Sequence, residues 1–277
     1  MTLSSNARVS SVHYQKLENA KKLGILSLTE HGLDSIPKQV FEPELAKKLR
    51  TLDLSGNKLA HIPAQLATLT ELKTLNLDGN KLVAGTLSVV AKLSKLQKLS
   101  VSGNRLGQMP ADQHKKNQVA SPDVMLPPLP STLKEVAMAQ NSLQSIPQSL
   151  VSKSLQRLEK VDLSGNQLAS VDSLWVLSNL VEIQLDDNVI VSLPPEMGTL
   201  KKLKVLSLRN NAITATSQPQ PLPAALFTDT PLIDLNLHGN PMTNTELNRF
   251  EGFPDFLERR QKVKKKTLVN LSVCGLE

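Results

Sequence analysis

The sequence predicts an α/β solenoid of about nine coils, with a curved parallel sheet on its concave side and a helical cap at each end. Three observations lead there. A pattern of leucines and one asparagine recurs, clearest in Leu49-Arg50-Thr51-Leu52-Asp53-Leu54-Ser55-Gly56-Asn57-Lys58-Leu59. Its first leucine-type position returns nine times, at Leu23, Leu49, Leu72, Leu96, Leu133, Leu158, Leu180, Leu203 and Leu232, mostly every 22–26 residues. Self-similarity at such a period marks stacked units that cannot bury their apolar faces alone. The composition agrees: of 277 residues 40% are hydrophobic and only 3% aromatic, so the core must be aliphatic.

Each element follows from the residues in order. Residues 1–22 read as a polar start and a capping helix, since Val9, Val12, Leu17 and Ala20 stand at helical spacing. A helix there covers the open end of the first coil. Residues 23–242 hold the repeats. The last two leucines of each L-x-x-L-x-L run alternate, so they point inward from a short strand. About nine such strands side by side span roughly 40 Å. The chain then turns at the asparagine and returns along the outer side in single turns or extended segments. Two longer intervals mark insertions, near 111–128 and 217–223. The first is polar and Pro-punctuated; the second has alternating prolines without the basic flanks of an SH3 ligand.

Asn57, Asn80, Asn104, Asn141, Asn166, Asn188, Asn211 and Asn240 form a structural ladder in this reading. A side-chain amide both donates and accepts, and can pair backbone groups buried in the turn. His31 holds the same slot in the first repeat, as a hydrogen-bonding residue and not as a catalytic or metal residue. Residues 243–266 form the second cap. Thr243-x-x-Glu246 is a capping box. Leu247, Phe250, Phe253, Phe256 and Leu257 supply an apolar lid, which Pro254 is expected to divide into two short helices. Residues 267–277 are a tail.

Charge is read from the same map. The net charge is +7, of which Arg259, Arg260, Lys262, Lys264, Lys265 and Lys266 supply six, leaving +1 elsewhere. The basic balance thus belongs to the tail region, a candidate for contact with anionic lipid. Nucleic acid is disfavoured, since no aromatics interleave with the lysines for base stacking. Cys274, the single cysteine, excludes an internal disulfide and favours a reducing, cytoplasmic setting. No secretory signal or spanning segment is legible. Cys274 also stands fourth from the end, as in a prenylation box. Gly275 and Glu277 fit that box poorly, so its lipidation is the lesser reading.

The variable positions of the strands remain for recognition. Asp53, Asn76, Asp78, Asp162, Gln184, Asp186, Asp187, Arg209, Asn236 and His238 are expected on the concave face as a partner-binding surface. No nucleophile stands with an oriented base, the five histidines are dispersed, and no metal or cofactor set is legible. The expectation is a non-enzymatic, monomeric scaffold for a protein partner. The alternative is a peripheral membrane protein docking through its basic end.

The repeats resemble the intracellular leucine-rich repeat family, as in Leu180-Val181-Glu182-Ile183-Gln184-Leu185-Asp186-Asp187-Asn188 followed by Leu193-Pro194. Two end segments resemble one branch of it. One runs from Glu18 to Leu28 and on to Ile36-Pro37; the other runs from Phe250 to Arg259 with its trailing lysines. The resemblance implies an intracellular protein without catalytic residues. Members of that branch begin Met-Gly and take a myristoyl anchor; Thr2 departs from this, as do the two insertions.

Overall fold

The structure is a computed structural model describing residues 11–108, 126–216 and 220–267. Most of the first insertion, part of the second and the tail beyond 267 lie outside these residues.

Nine three-residue strands form one parallel sheet in sequence order: β1 (Ile25–Ser27), β2 (Thr51–Asp53), β3 (Thr74–Asn76), β4 (Lys98–Ser100), β5 (Glu135–Ala137), β6 (Lys160–Asp162), β7 (Glu182–Gln184), β8 (Val205–Ser207) and β9 (Asp234–Asn236). The register is constant. Leu26, Leu52, Leu75, Leu99, Val136, Val161, Ile183, Leu206 and Leu235 stack as one column, all buried. The 37-residue interval between Leu96 and Leu133 leaves this pairing intact, because β4 and β5 are direct neighbours. The pairing is set by the strands themselves and not by the length of chain between them.

The outer side returns in short pieces, as expected. It uses 3-10 turns at 38–41, 64–68, 84–92, 174–176 and 195–199, and the helices α2 (Pro43–Ala46) and α3 (Ala224–Thr228). Buried Val40, Leu66, Leu87, Leu174, Met197 and Leu226 meet the strand leucines there, forming one continuous apolar core. Narrow strands on one side and bulkier turns on the other place the sheet on the concave side.

The residue before the ladder asparagine takes positive φ in every coil. Glycine fills it five times, as at Gly79 (φ 62), while Glu30, Gln140, Asp187 and Asn210 adopt the same conformation at φ 50–60. The turn geometry is therefore imposed by the stack and only eased by glycine.

The ends differ from the repeats. Helix α1 (Ser11–Leu23) packs on β1 through buried Leu17 and Ala20. Leu23, expected to fill the first core slot, is instead 70% exposed. It is the last residue of α1; the amide of Gly24 (φ 71) bonds back to the carbonyl of Ala20 and turns the chain into β1. The helix, not the leucine, closes the first coil. At the other end, α4 (Asn244–Leu247) begins at a complete Thr243/Glu246 capping box. Helix α5 (Phe253–Thr267) follows a break at 248–252, where Gly252 takes φ 77. The break therefore falls just before Pro254, which sits in the first turn of α5, where a missing N–H leaves no bond unmade.

Candidate functional site

The turn edge of the sheet is held by the asparagines. Asn80 shows the geometry: its Nδ2 lies 2.9 Å from Leu77 O of its own coil and 3.0 Å from Leu54 O of the coil before, while Oδ1 accepts the Leu59 amide at 3.0 Å. Asn57, Asn104, Asn141, Asn166, Asn188, Asn211 and Asn240 make the same cross-coil donation. In the first coil His31 makes part of this pattern. Its amide donates to Asn57 Oδ1 and its Nδ1 pairs with Thr29 O. The asparagine side chains are thereby engaged in the coil-to-coil joint.

Two rows face outward from the sheet as expected, but several members are engaged locally. Asp53, Asn76, Asp162 and Asn236 each accept the amide two residues ahead, at 3.0–3.1 Å. Asp78 and Asp186 reach across to the next coil. Asp78 accepts Ser100 Oγ and the Ser102 amide, both at 2.6 Å; Asp186 accepts Ser207 Oγ and the Arg209 amide. Burial raises the Asp78 carboxyl above the ordinary range against the pull of Ser100 and Ser102, with Asp53 and Asp162 adding like charge. Asp187 holds Asn210 Nδ2 at 2.7 Å. Gln184 contacts Glu182, and Arg209 and His238 lie exposed at the turn side.

A third row was not anticipated. Thr51, Thr74, Lys98, Glu135, Lys160, Glu182, Val205 and Asp234 begin their strands and also face outward. Lys98 and Glu135 pair at 2.7 Å, as do Lys160 and Glu182. The Glu182 carboxyl is lowered chiefly by its bond from Lys160. The signal was present in the sequence: the alternation that turns Asp53 outward turns Thr51 outward too. This row lines a groove of about 350 Å³ along β3–β7, floored by Ser100, Ala137, Asp162 and Gln184.

The basic end departs from the expectation in two places. Arg260 is only 3% exposed. Arg259 donates Nε to Leu232 O at 2.9 Å and an Nη to Phe227 O at 2.8 Å, and burial lowers its pKa. Arg259 therefore fastens α5 to the last coil, because the carbonyls at the open end of the solenoid need donors. The Arg260 side chain is buried and the Arg259 guanidinium is engaged, so neither stands out as a free surface cation. Lys262 is exposed and paired with Glu258. The backbone of Lys264, Lys265 and Lys266 continues α5, while their side chains and Cys274 lie outside the described residues. Among the described residues no group of His, Cys, Asp and Glu could hold a metal ion, and no helix is long and apolar enough to cross a membrane.

Comparison with known proteins agrees with this architecture. The family model described as Leucine rich repeat matches residues 21–82, 47–106 and 131–190. Over 265 residues the chain is 29% identical to leucine-rich repeat serine/threonine-protein kinase 1 of Mus musculus, a match covering 89% of this chain but 12% of that protein. A solved leucine-rich repeat protein of Leptospira interrogans superposes with a TM-score of 0.55 at 26% identity, covering 91% of this chain and 59% of that one. The plant peptide hormone receptor RGFR1, solved in complex with RGF2, gives a TM-score of 0.53 at 26% identity over 80% of this chain and 34% of the receptor. With nine coils in one register, an asparagine at each turn from the second onward, and a family model matching more than half the sequence, the chain belongs to the leucine-rich repeat family.

Proposed function

We propose that the protein is a non-enzymatic scaffold that binds a protein partner on the concave face of its solenoid. The observation that carries this is the face itself. Nine strands in fixed register present three parallel rows of mostly polar side chains from a backbone already ordered by the core. A surface so held loses little conformational freedom on binding. That the plant receptor of similar fold is solved in complex with RGF2 supports a protein or peptide partner for this chain. The mouse kinase does not transfer catalysis, because the match spans only 12% of it. Within the family we place the chain nearest leucine-rich repeat-containing protein 57, on the residues of its two ends, and we read it as a cytoplasmic monomer.

Proximity labelling in cells tests the reading, comparing the native chain with a variant carrying Asp162→Lys, Asp186→Asn and Arg209→Glu. The partner set should lose its most strongly labelled members while the urea midpoint stays near native. An unchanged set with a folded variant would move the binding surface off the concave face.

A further inference from the structure

Beside the sheet, at the start of each strand, lies a surface that the net charge conceals. Arg50, Lys73, Gln97, Lys134, Glu159, Val181 and Lys204 follow the first core leucine of coils two to eight. They stand in one line, because each amide from Lys73 onward donates to the carbonyl of the residue before it in this line, at 2.8–2.9 Å. Two residues upstream runs a second line, which supplies Lys48, Lys95, Arg157 and Lys202. The lines are adjacent. Glu71 of the second bonds Lys95 at 2.6 Å, and its carboxyl is lowered by that lysine and further by Arg50 and Lys73 of the first. Together they hold eight exposed cations against Glu71 and Glu159, a net +6. Among the described residues Lys95 is the one of the eight with an ion pair.

The concave rows carry the opposite balance. Over the same coils the strand-start row is neutral, with Lys98 and Lys160 matched by Glu135 and Glu182. The two turn-side rows carry Asp53, Asp78, Asp162 and Asp186 against Arg209, a net −3. The sheet is therefore polarised along its strands, from basic rim to acidic turn. The two bands lie roughly 10–16 Å apart along the strand, beyond a physiological Debye length of about 8 Å, so each keeps its own sign.

We propose that the basic rim is the docking line for an acidic segment of the protein partner, and that the polarity across the sheet fixes which way round the partner sits. This rests on the concave-face reading above. Seven coils at the strand spacing measure about 30 Å, the length of about nine extended residues. A hollow of about 480 Å³ on the rim is lined by Lys134, Arg157 and Lys202 with Glu159, Gln156, Asn179 and Val181, so three cations there outnumber one carboxylate. A uniform polyanion fits less well. A nucleic acid wide enough to touch both bands would set phosphates against Asp162 and Asp186, and the rim offers no aromatic side chain for stacking. A folded partner with an acidic edge and a basic flank meets both bands favourably, and charge complementarity of this kind selects orientation.

The test uses the full chain and a fluorescein-labelled peptide of about twelve residues alternating Glu and Ser. Fluorescence anisotropy should show binding that weakens with added salt and is absent for the Gln/Ser peptide. Lys73→Glu, Lys134→Glu and Lys204→Glu together should weaken it at least about tenfold, while Lys264→Gln, Lys265→Gln and Lys266→Gln together should leave it within about twofold. Should the reversed variant not fold by its urea melt, Lys73→Gln, Lys134→Gln and Lys204→Gln together take its place, with a loss of at least about threefold. A single-stranded oligonucleotide of equal charge should bind at least about tenfold more weakly than the peptide. The proposal is overturned by no peptide binding, by binding indifferent to the rim, or by an oligonucleotide binding as tightly as the peptide. Any of these leaves the concave-face reading standing if the partner set still responds to changes at Asp162, Asp186 and Arg209. An unresponsive set alongside rim-dependent peptide binding sinks that reading alone.

Discussion

Asn80 shows how one side chain can determine a joint between coils. It pairs with Leu77 O, Leu54 O and the Leu59 amide, and is itself buried. Leucine at this position would fill similar space and leave all three backbone groups without the amide. Asn80→Leu is expected to cost about 1–3 kcal/mol of stability in urea melts. Asp78 works in the other direction. Its pKa is raised in the folded state, so the ionised carboxylate is less favourable folded than unfolded. Stability from this group is present below the ordinary aspartate range and declines as pH rises through the raised folded value. Asp78→Asn, which keeps an acceptor for Ser100 and Ser102, should therefore shift the urea midpoint upward at pH 7 and have no such advantage near pH 3. The ladder was legible from one residue type at one spacing. The state of Asp78 was not, because it depends on Ser100 and Ser102 of the following coil.

At the scale of elements, the repeats were legible and the caps less so. A strand repeated nine times carries its own check in the register, and each leucine column confirms the next. A cap occurs once. Leu23 shows the difficulty: it has the spacing of a core leucine, but the helix before it covers the coil with Leu17 and Ala20. Arg259 shows it again. In sequence it belongs to a run of cations; in the fold it caps the carbonyls of Phe227 and Leu232. Beside it Phe256 is fully buried, with ring centroids 5.4 Å from Phe253 and 6.0 Å from Phe227. This aromatic cluster joins α5 to α3 and so to the outer side of the last coil. Phe256→Ala is expected to cost about 3–5 kcal/mol. Thermal melts should show the loss first in the C-terminal coils, since stability in a stacked array is passed between neighbours.

For the whole molecule, what the sequence left hidden was the arrangement of charge. Away from the basic end the net is near zero, which reads as an unmarked surface. Stacking converts residues some 23 positions apart into neighbours one strand apart. Lys73 and Lys134 thereby join one basic edge, while Asp162 and Asp186 join an acidic one. A net charge cannot report this segregation; only the register can. A partner seated on the concave face and its basic rim would cover both bands at once. Side-chain footprinting of the purified complex checks this placement, with lysines acetylated and carboxylates amidated before and after the partner is added. Lys73, Lys134, Lys204 and Asp162 are expected to lose reactivity while Lys92, on the outer turn at 84–92, keeps it. Protection of Lys92 with Lys134 and Asp162 still reactive would contradict it.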